Sequence, residues 1–314
     1  MGLYRPDKSD KQTQLSSLVI NGFLTLNGTF GIGIQNKTFL NEDSLRLYID
    51  GKAHHSVESY YGIGDDTNRN DGNAFDYNKD QFEIEPTLLK KFAKNSFFGP
   101  LIHLNYTNGN DVQPSANLVT PNTLQTTDFP NSSTIVGIGL RAFHDSRDFV
   151  LNATTGRFID LSFTQYDDAI GSKADFSKAA FEWSEYFSLD KEKYNILAFQ
   201  IKSETNNGDI PWDQYALVGG SNGLRGYYEG RYRDSTMVLT QIEWRKEIRK
   251  PHGIAVWVGG AMMGKSYSDL SDSRVLKSIG TGYRLQVKEG VNVRFDYGIA
   301  DGESGFYMNI AEAF

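Results

Sequence analysis

Three groups of residues in this 314-residue chain are of types that could do chemistry. Five histidines, His54, His55, His103, His144 and His252, could ligate a metal or move protons. They are scattered, and the adjacent pair His54 and His55 points to opposite faces of an extended segment, so no ion is shared. The second group is Asp145-Ser-Arg-Asp148, a hydroxyl set between carboxylates. Its only nearby base is His144, on the same tight segment, which makes it a turn and not a nucleophile with its base. The third is the stretch 217–234, where Arg225, Arg231 and Arg233 sit among Gly219, Gly220, Gly223, Gly226 and Gly230. Those glycines permit sharp turns and close backbone approach. They do not open a helix after a strand, so they do not cradle a phosphate. The arginines need partners, and a loop of this kind is built to pack against something. The interior of a barrel is one such place.

Composition narrows the classes. There are no cysteines, which removes disulfides, thiolate metal sites and cysteine nucleophiles. A net charge of -7 argues against nucleic acid as a partner. Mean hydropathy is -0.46 and no long apolar run exists, so helical membrane spans are excluded. Barrel strands escape that test, because lipid-facing and lumen-facing residues alternate. Aromatic residues make up 13%, with 17 Tyr and 20 Phe, a composition suited to interfacial girdles. The N-terminal residues are polar and lack the apolar core of a secretory leader.

The elements that position the arginine loop are all strands. Segments 1–14 read as polar and irregular, and 15–314 as one barrel domain. Strands are expected over 14–26, 29–40, 45–60, 81–93, 97–107, 134–143, 156–167, 178–189, 194–204, 237–248, 253–263, 278–288, 291–300 and 305–314. Asn27-Gly28 marks a hairpin turn. The polar stretches 68–78 and 108–133 read as loops, the second a large one. Short and long connections alternate, and no convincing helix emerges. This is the pattern of an all-β transmembrane antiparallel barrel with tight turns at one end and long loops at the other.

Periodicity is cleanest near the C-terminus. Val291, Val293, Phe295, Tyr297 and Ile299 share one face, opposite Asn292, Arg294, Asp296 and Gly298. Ile242 and Trp244 oppose Gln241, Glu243 and Arg245, and Ile279 and Tyr283 oppose Gly280 and Arg284. Apolar faces outward give a barrel in lipid, and the reverse gives a soluble β protein. Periodicity alone does not say which face is out.

Leu224-Arg-Gly-Tyr227, preceded by Gly219-Gly220, resembles the (V/L)RG(F/Y) signature of BamA/TamA-like outer-membrane proteins, the bacterial surface antigen family. In that family the signature tips the sixth extracellular loop, which folds back into the lumen. Further pieces are similar to the branch without POTRA domains: Tyr60-Tyr-Gly-Ile-Gly64, His144-Asp-Ser-Arg-Asp148 with Thr155-Gly156, Arg294-Phe-Asp-Tyr-Gly298, and Gly305-Phe-Tyr307 through to Phe314. The likeness runs from about residue 14 to the end. A terminal aromatic, Phe314, also matches the signal by which such barrels are recognised for assembly.

Two departures stand out. The family usually has sixteen strands, eleven before the arginine loop; fourteen are visible here, nine of them before it. Either a first hairpin is missing or this is a fourteen-strand variant. Relatives also carry an acid in an F-x-D-x-G element, where this chain has Trp257-Val-Gly-Gly-Ala261. Arg225 must then pair with Asp296 or Glu243, both on lumen faces, with Asp296 preferred, or else stay unpaired and bond water. The resemblance implies a protein of the Gram-negative outer membrane, in contact with its lipid. It would assist outer-membrane protein insertion or polypeptide translocation, with client or partner proteins from the outer membrane or periplasm. It implies no catalytic residue, metal or cofactor. A passive channel or surface structural protein of the same fold is the alternative.

Overall fold

The computed structural model describes residues 2–8, 13–25, 28–64, 74–114 and 131–314. Its main element is an antiparallel meander of fifteen strands. Fourteen are long: β2 (Ser16–Leu24), β3 (Phe30–Leu40), β4 (Leu45–Tyr60), β5 (Phe75–Ala93), β6 (Ser96–Pro114), β7 (Ser132–Asp145), β8 (Gly156–Tyr166), β9 (Phe176–Ser188), β10 (Asn195–Gly208), β13 (Thr236–Arg249), β14 (His252–Gly264), β15 (Leu276–Lys288), β16 (Val291–Ala300) and β17 (Ser304–Ile310). The N-terminal segment, expected to be irregular, contributes a short fifteenth, β1 (Gly2–Tyr4), paired with β2. A separate two-stranded ribbon, β11 (Ala216–Val218) with β12 (Tyr232–Asp234), lies inside the long loop between β10 and β13.

Every strand of the meander pairs with its neighbours in sequence, apart from the step across that loop from β10 to β13. Among the described residues β1 pairs only with β2, and β17 only with β16. The sheet nevertheless curls into a barrel, as a single loop residue that touches both of its halves shows. Tyr228 receives the Ser59 amide of β4 on its hydroxyl at 3.2 Å and gives its own amide to Glu303, beyond β16, at 2.8 Å. On a flat sheet those strands would stand about 50 Å apart at the usual strand spacing.

Burial decides which face is out. Gln200, Gln241, Glu243, Arg284, Arg294 and Asp296 are buried, while Ile138, Leu140, Phe163, Val258, Ile279, Phe306 and Met308 are exposed. A water-soluble protein sorts its residues the other way. Polar inside and apolar outside, in strict alternation, is the arrangement of a barrel in lipid. No described helix is long and apolar enough to cross a membrane.

Several strand ends differ from the sequence reading. Strand β5 begins at Phe75 and β6 continues to Pro114, where loops were expected. The two polar extensions pair with each other, Lys79 opposite Gly109 and Asp80 opposite Asn108, which offsets their poor strand propensity. The Asn27 half of the first turn lies outside the described residues, as does most of each polar loop. At the other end, β17 stops at Ile310 instead of running to Phe314. Ala311 adopts a left-handed φ of 75° and turns the last residues inward.

Candidate functional site

The long loop is organised by its own hydrophobic seed. Ala216, Val218, Leu224, Tyr227 and Tyr232 pack with Met237, Leu239, Ala261, Met263 and Leu276 from the lumen faces of β13–β15. Tyr227 and Tyr232 meet edge-on with ring centres 5.3 Å apart. Ribbon pairing and this cluster fix both arms, so the tip between them is carried against the barrel wall. Gly226 and Gly298 make that approach possible. A Cβ on Gly298 would stand 2.7 Å from the Arg225 carbonyl oxygen, and one on Gly226 would lie 3.1 Å from the Ile299 backbone. Loop backbone therefore rests directly on β16. Gly226 donates its amide to the Tyr307 hydroxyl at 3.0 Å, and Ser278 donates its hydroxyl to the Arg225 carbonyl.

Arg225 is fully buried and bound on three sides. Its Nη2 donates to Glu243 of β13 at 2.6 Å and its Nη1 to Asp296 of β16 at 2.8 Å. Sequence reasoning set these two carboxylates as alternatives; the guanidinium fork engages both at once, as its geometry allows. Its flat face lies 3.7 Å from the Trp257 ring. A cation over a desolvated indole is favourable by about 2 kcal/mol. Gly280 of β15 leaves room for it, since a Cβ there would meet the indole at 2.1 Å.

Three more buried arginines complete the cluster. Arg245 contacts Glu243 at 2.6 Å, Arg284 contacts Asp296 at 2.6 Å, and Arg294 contacts Asp296 at 2.9 Å. Arg294 also donates to the Ser221 carbonyl at 3.0 Å and to Asn222 Oδ1 at 2.6 Å, holding the loop beside its signature. None of these three was singled out from sequence as a partner of the site. The signal was present, because Arg245 shares an alternating strand face with Glu243, Arg294 shares one with Asp296, and Arg284 lies on the polar face of β15.

Gly219 and Gly220 turn the chain out of β11 with φ of 114° and 80°, and Leu224 is buried in the seed cluster. The Tyr60–Gly64 element, noticed only as a likeness, forms a second platform for the loop. Tyr60 meets Trp212 edge-on at 6.2 Å and lies under Arg233 at 4.6 Å. Gly64 donates its amide to the Arg233 carbonyl at 3.0 Å, and Arg231 stacks on Tyr61 at 4.8 Å while pairing with Glu303 at 3.2 Å.

The other chemistry-bearing residues singled out from sequence stand apart from the arginine cluster. His55, His103, His144 and His252 bond Asp80, Tyr166, Ser96 and Tyr283 respectively. Asp145 pairs with Arg147 at 2.8 Å, and Asp148 accepts from the Thr154 and Thr155 amides and from Lys193, so that segment works as a turn. Burial opposes ionisation of Asp148, but the Thr154 hydroxyl, Lys193 and those amides hold its carboxyl well below the usual range. Asp167, Asp168 and Asp175 gather at the tip of the β8–β9 loop, where Asp167 and Asp175 accept from local amides.

A lumen-seated arginine loop on a polar-inside barrel is the feature that comparison with known proteins can test. The Omp85 superfamily domain matches residues 19–314, nearly the whole chain. The chain belongs to the Omp85 superfamily. Among solved structures, the Omp85 barrel here is similar to BamA from Haemophilus ducreyi lacking POTRA domains 1–3, with a TM-score of 0.62 and 14% identity over 94% of this chain and 63% of that one. It is similar to CdiB from Escherichia coli, with a TM-score of 0.56 and 12% identity over 94% of this chain and 55% of that one. CdiB from Acinetobacter baumannii gives 0.56 and 11%, covering 95% and 54%. At these identities the likeness is one of fold, and the chain spans between 54% and 63% of the three structures' lengths. Comparison with curated proteins gives no match.

Proposed function

We propose that this chain is an integral protein of the bacterial outer membrane that inserts barrel proteins into that membrane or translocates polypeptides across it. The observation that carries the reading is Arg225, held by Glu243 and Asp296 at 2.6 and 2.8 Å in a fully buried site. A loop committed so deeply to the wall occupies the lumen and braces β13–β16. The edge of the sheet is the working surface. Its last strand has only seven residues, against nineteen in β5 and β6, and its outer edge has no ladder partner among the described residues. Such an edge accepts an extended segment by main-chain pairing, and the braced wall keeps its template geometry. Clients and partners are then outer-membrane or periplasmic polypeptides that present a strand.

The test is assisted folding. Purified chain in lipid vesicles is mixed with an unfolded outer-membrane barrel from urea, and the client's folding is followed by its gel mobility before and after boiling. Faster folding than in empty vesicles supports insertion. Equal rates, with vesicles leaking small solutes through the unmodified chain, would leave the passive channel as the better reading.

A further inference from the structure

Residues 311–314 turn into the barrel, and the cluster that receives them is the one that receives the loop. Beyond Ala311, Glu312 gives its amide to the Leu151 carbonyl at 3.0 Å. Its carboxylate accepts from Arg284 Nε at 2.7 Å and Asn292 Nδ2 at 2.8 Å, and lies 3.6 Å from Arg245 Nε. Arg245 Nη2 also donates to the Phe314 main-chain oxygen at 3.0 Å and stands 5.3 Å over the Phe314 ring. That ring packs on Ala153, Tyr186 and Ala198.

Two carboxylates are divided between loop and tail. Glu243 gives Oε2 to Arg225 and Oε1 to Arg245; Asp296 gives Oδ2 to Arg225 and Oδ1 to Arg284. Arg225 belongs to the loop, while Arg245 and Arg284 hold the tail. We infer that docking of the arginine loop and docking of the tail 311–314 are one coupled event, with Glu312 as the positioning residue that links them. Charge counting gives the direction. Among side chains, Arg225, Arg245, Arg284 and Arg294 face the carboxylates of Glu243, Asp296 and Glu312, four cations to three anions, all buried. Withdrawing Glu312 leaves four cations on two carboxylates, and their repulsion falls on Arg225. Withdrawing Arg225 leaves three on three, so Arg245 and Arg284 draw more fully on Glu243 and Asp296 and need Glu312 less. Each end therefore strengthens the other, by the same factor in both directions. The inference concerns a latch within the chain and does not rest on what the barrel transports.

The natural chain has no cysteine, so single labels report cleanly. Ala313→Cys reports the tail and Val218→Cys the loop, both sites being buried. Maleimide labelling is measured in vesicles, scoring only the fraction that shifts on boiling in SDS and is therefore folded. Arg225→Ala, or Gly298→Ala, which displaces the loop without touching a charge, is expected to speed labelling at Ala313→Cys. Glu312→Gln is expected to speed labelling at Val218→Cys. Coupling of ordinary size gives on the order of 5- to 150-fold. Arg141→Gln, which breaks a separate lumen pair with Asp160, should move neither label. Tail labelling unchanged by both loop variants, loop labelling unchanged by Glu312→Gln, or equal acceleration by Arg141→Gln would overturn the coupling.

Discussion

Arg225 illustrates how a buried ion cluster constrains single residues. Removing one partner from a buried ion pair costs about 3–5 kcal/mol, because the buried groups that faced it lose their hydrogen bonds and are not resolvated. Arg225→Ala should therefore lower barrel stability by roughly that amount, read from the urea midpoint of the heat-modifiable form. Lys202→Ala, at a partly exposed lumen position with its ammonium 3.2 Å from the Asn222 carbonyl, should cost about 0–1 kcal/mol. Asp148 gives a second residue-scale expectation. Its folded carboxyl titrates below the unfolded value of about 4. Its contribution is therefore present above that value and is lost as pH falls through the folded one. The stability gap between the natural chain and Asp148→Asn should shrink as the pH is taken below about 4; a gap constant down to pH 2 would contradict this. At this scale the sequence made Arg225 and both of its acids visible, because all three sit on legible turns or alternating faces. Trp257 was hidden. An indole on a lumen face declares no role until the guanidinium is placed above it.

Among the elements, alternation was strong enough to place every long strand, and ends failed where composition and pairing disagreed. Residues 108–114 are Asn-, Gly- and Asp-rich and read as loop, yet they pair with an equally polar extension of β5. A partner strand overrides local propensity, and sequence does not show the partner. The end of β17 failed for a different reason: ion pairs to Glu312 pull the chain inward, a tertiary force with no local signature. The face assignment has its own test. Ile279 is 57% exposed on the outside of β15, whereas Ser162 faces the lumen beside Asp160 and Glu182. Folding into vesicles should be destabilised by about 2–4 kcal/mol by Ile279→Arg, if the position lies near the bilayer midplane, and by no more than about 0.5 kcal/mol by Ser162→Arg. Reversed costs would turn the barrel inside out.

For the whole molecule, the account is a lipid-facing barrel whose lumen is occupied by a loop fastened to its C-terminal half. Fold class was legible from strand number, alternating connection lengths and the Leu224–Tyr227 signature. The fastening was legible only in part: Arg225 and its two acids stood out, but Trp257, Arg245, Arg284, Arg294 and the close approach at Gly298 come together only after the sheet curls. Planar-bilayer conductance tests this claim most directly, comparing the natural chain with Arg225→Ala after both have shown the boiling-dependent gel shift of a folded barrel. A loop that closes the lumen predicts small or rare currents from the natural chain, and larger, longer openings from the variant. Steady large currents from the natural chain, unchanged by Arg225→Ala, would contradict the account and describe an open pore.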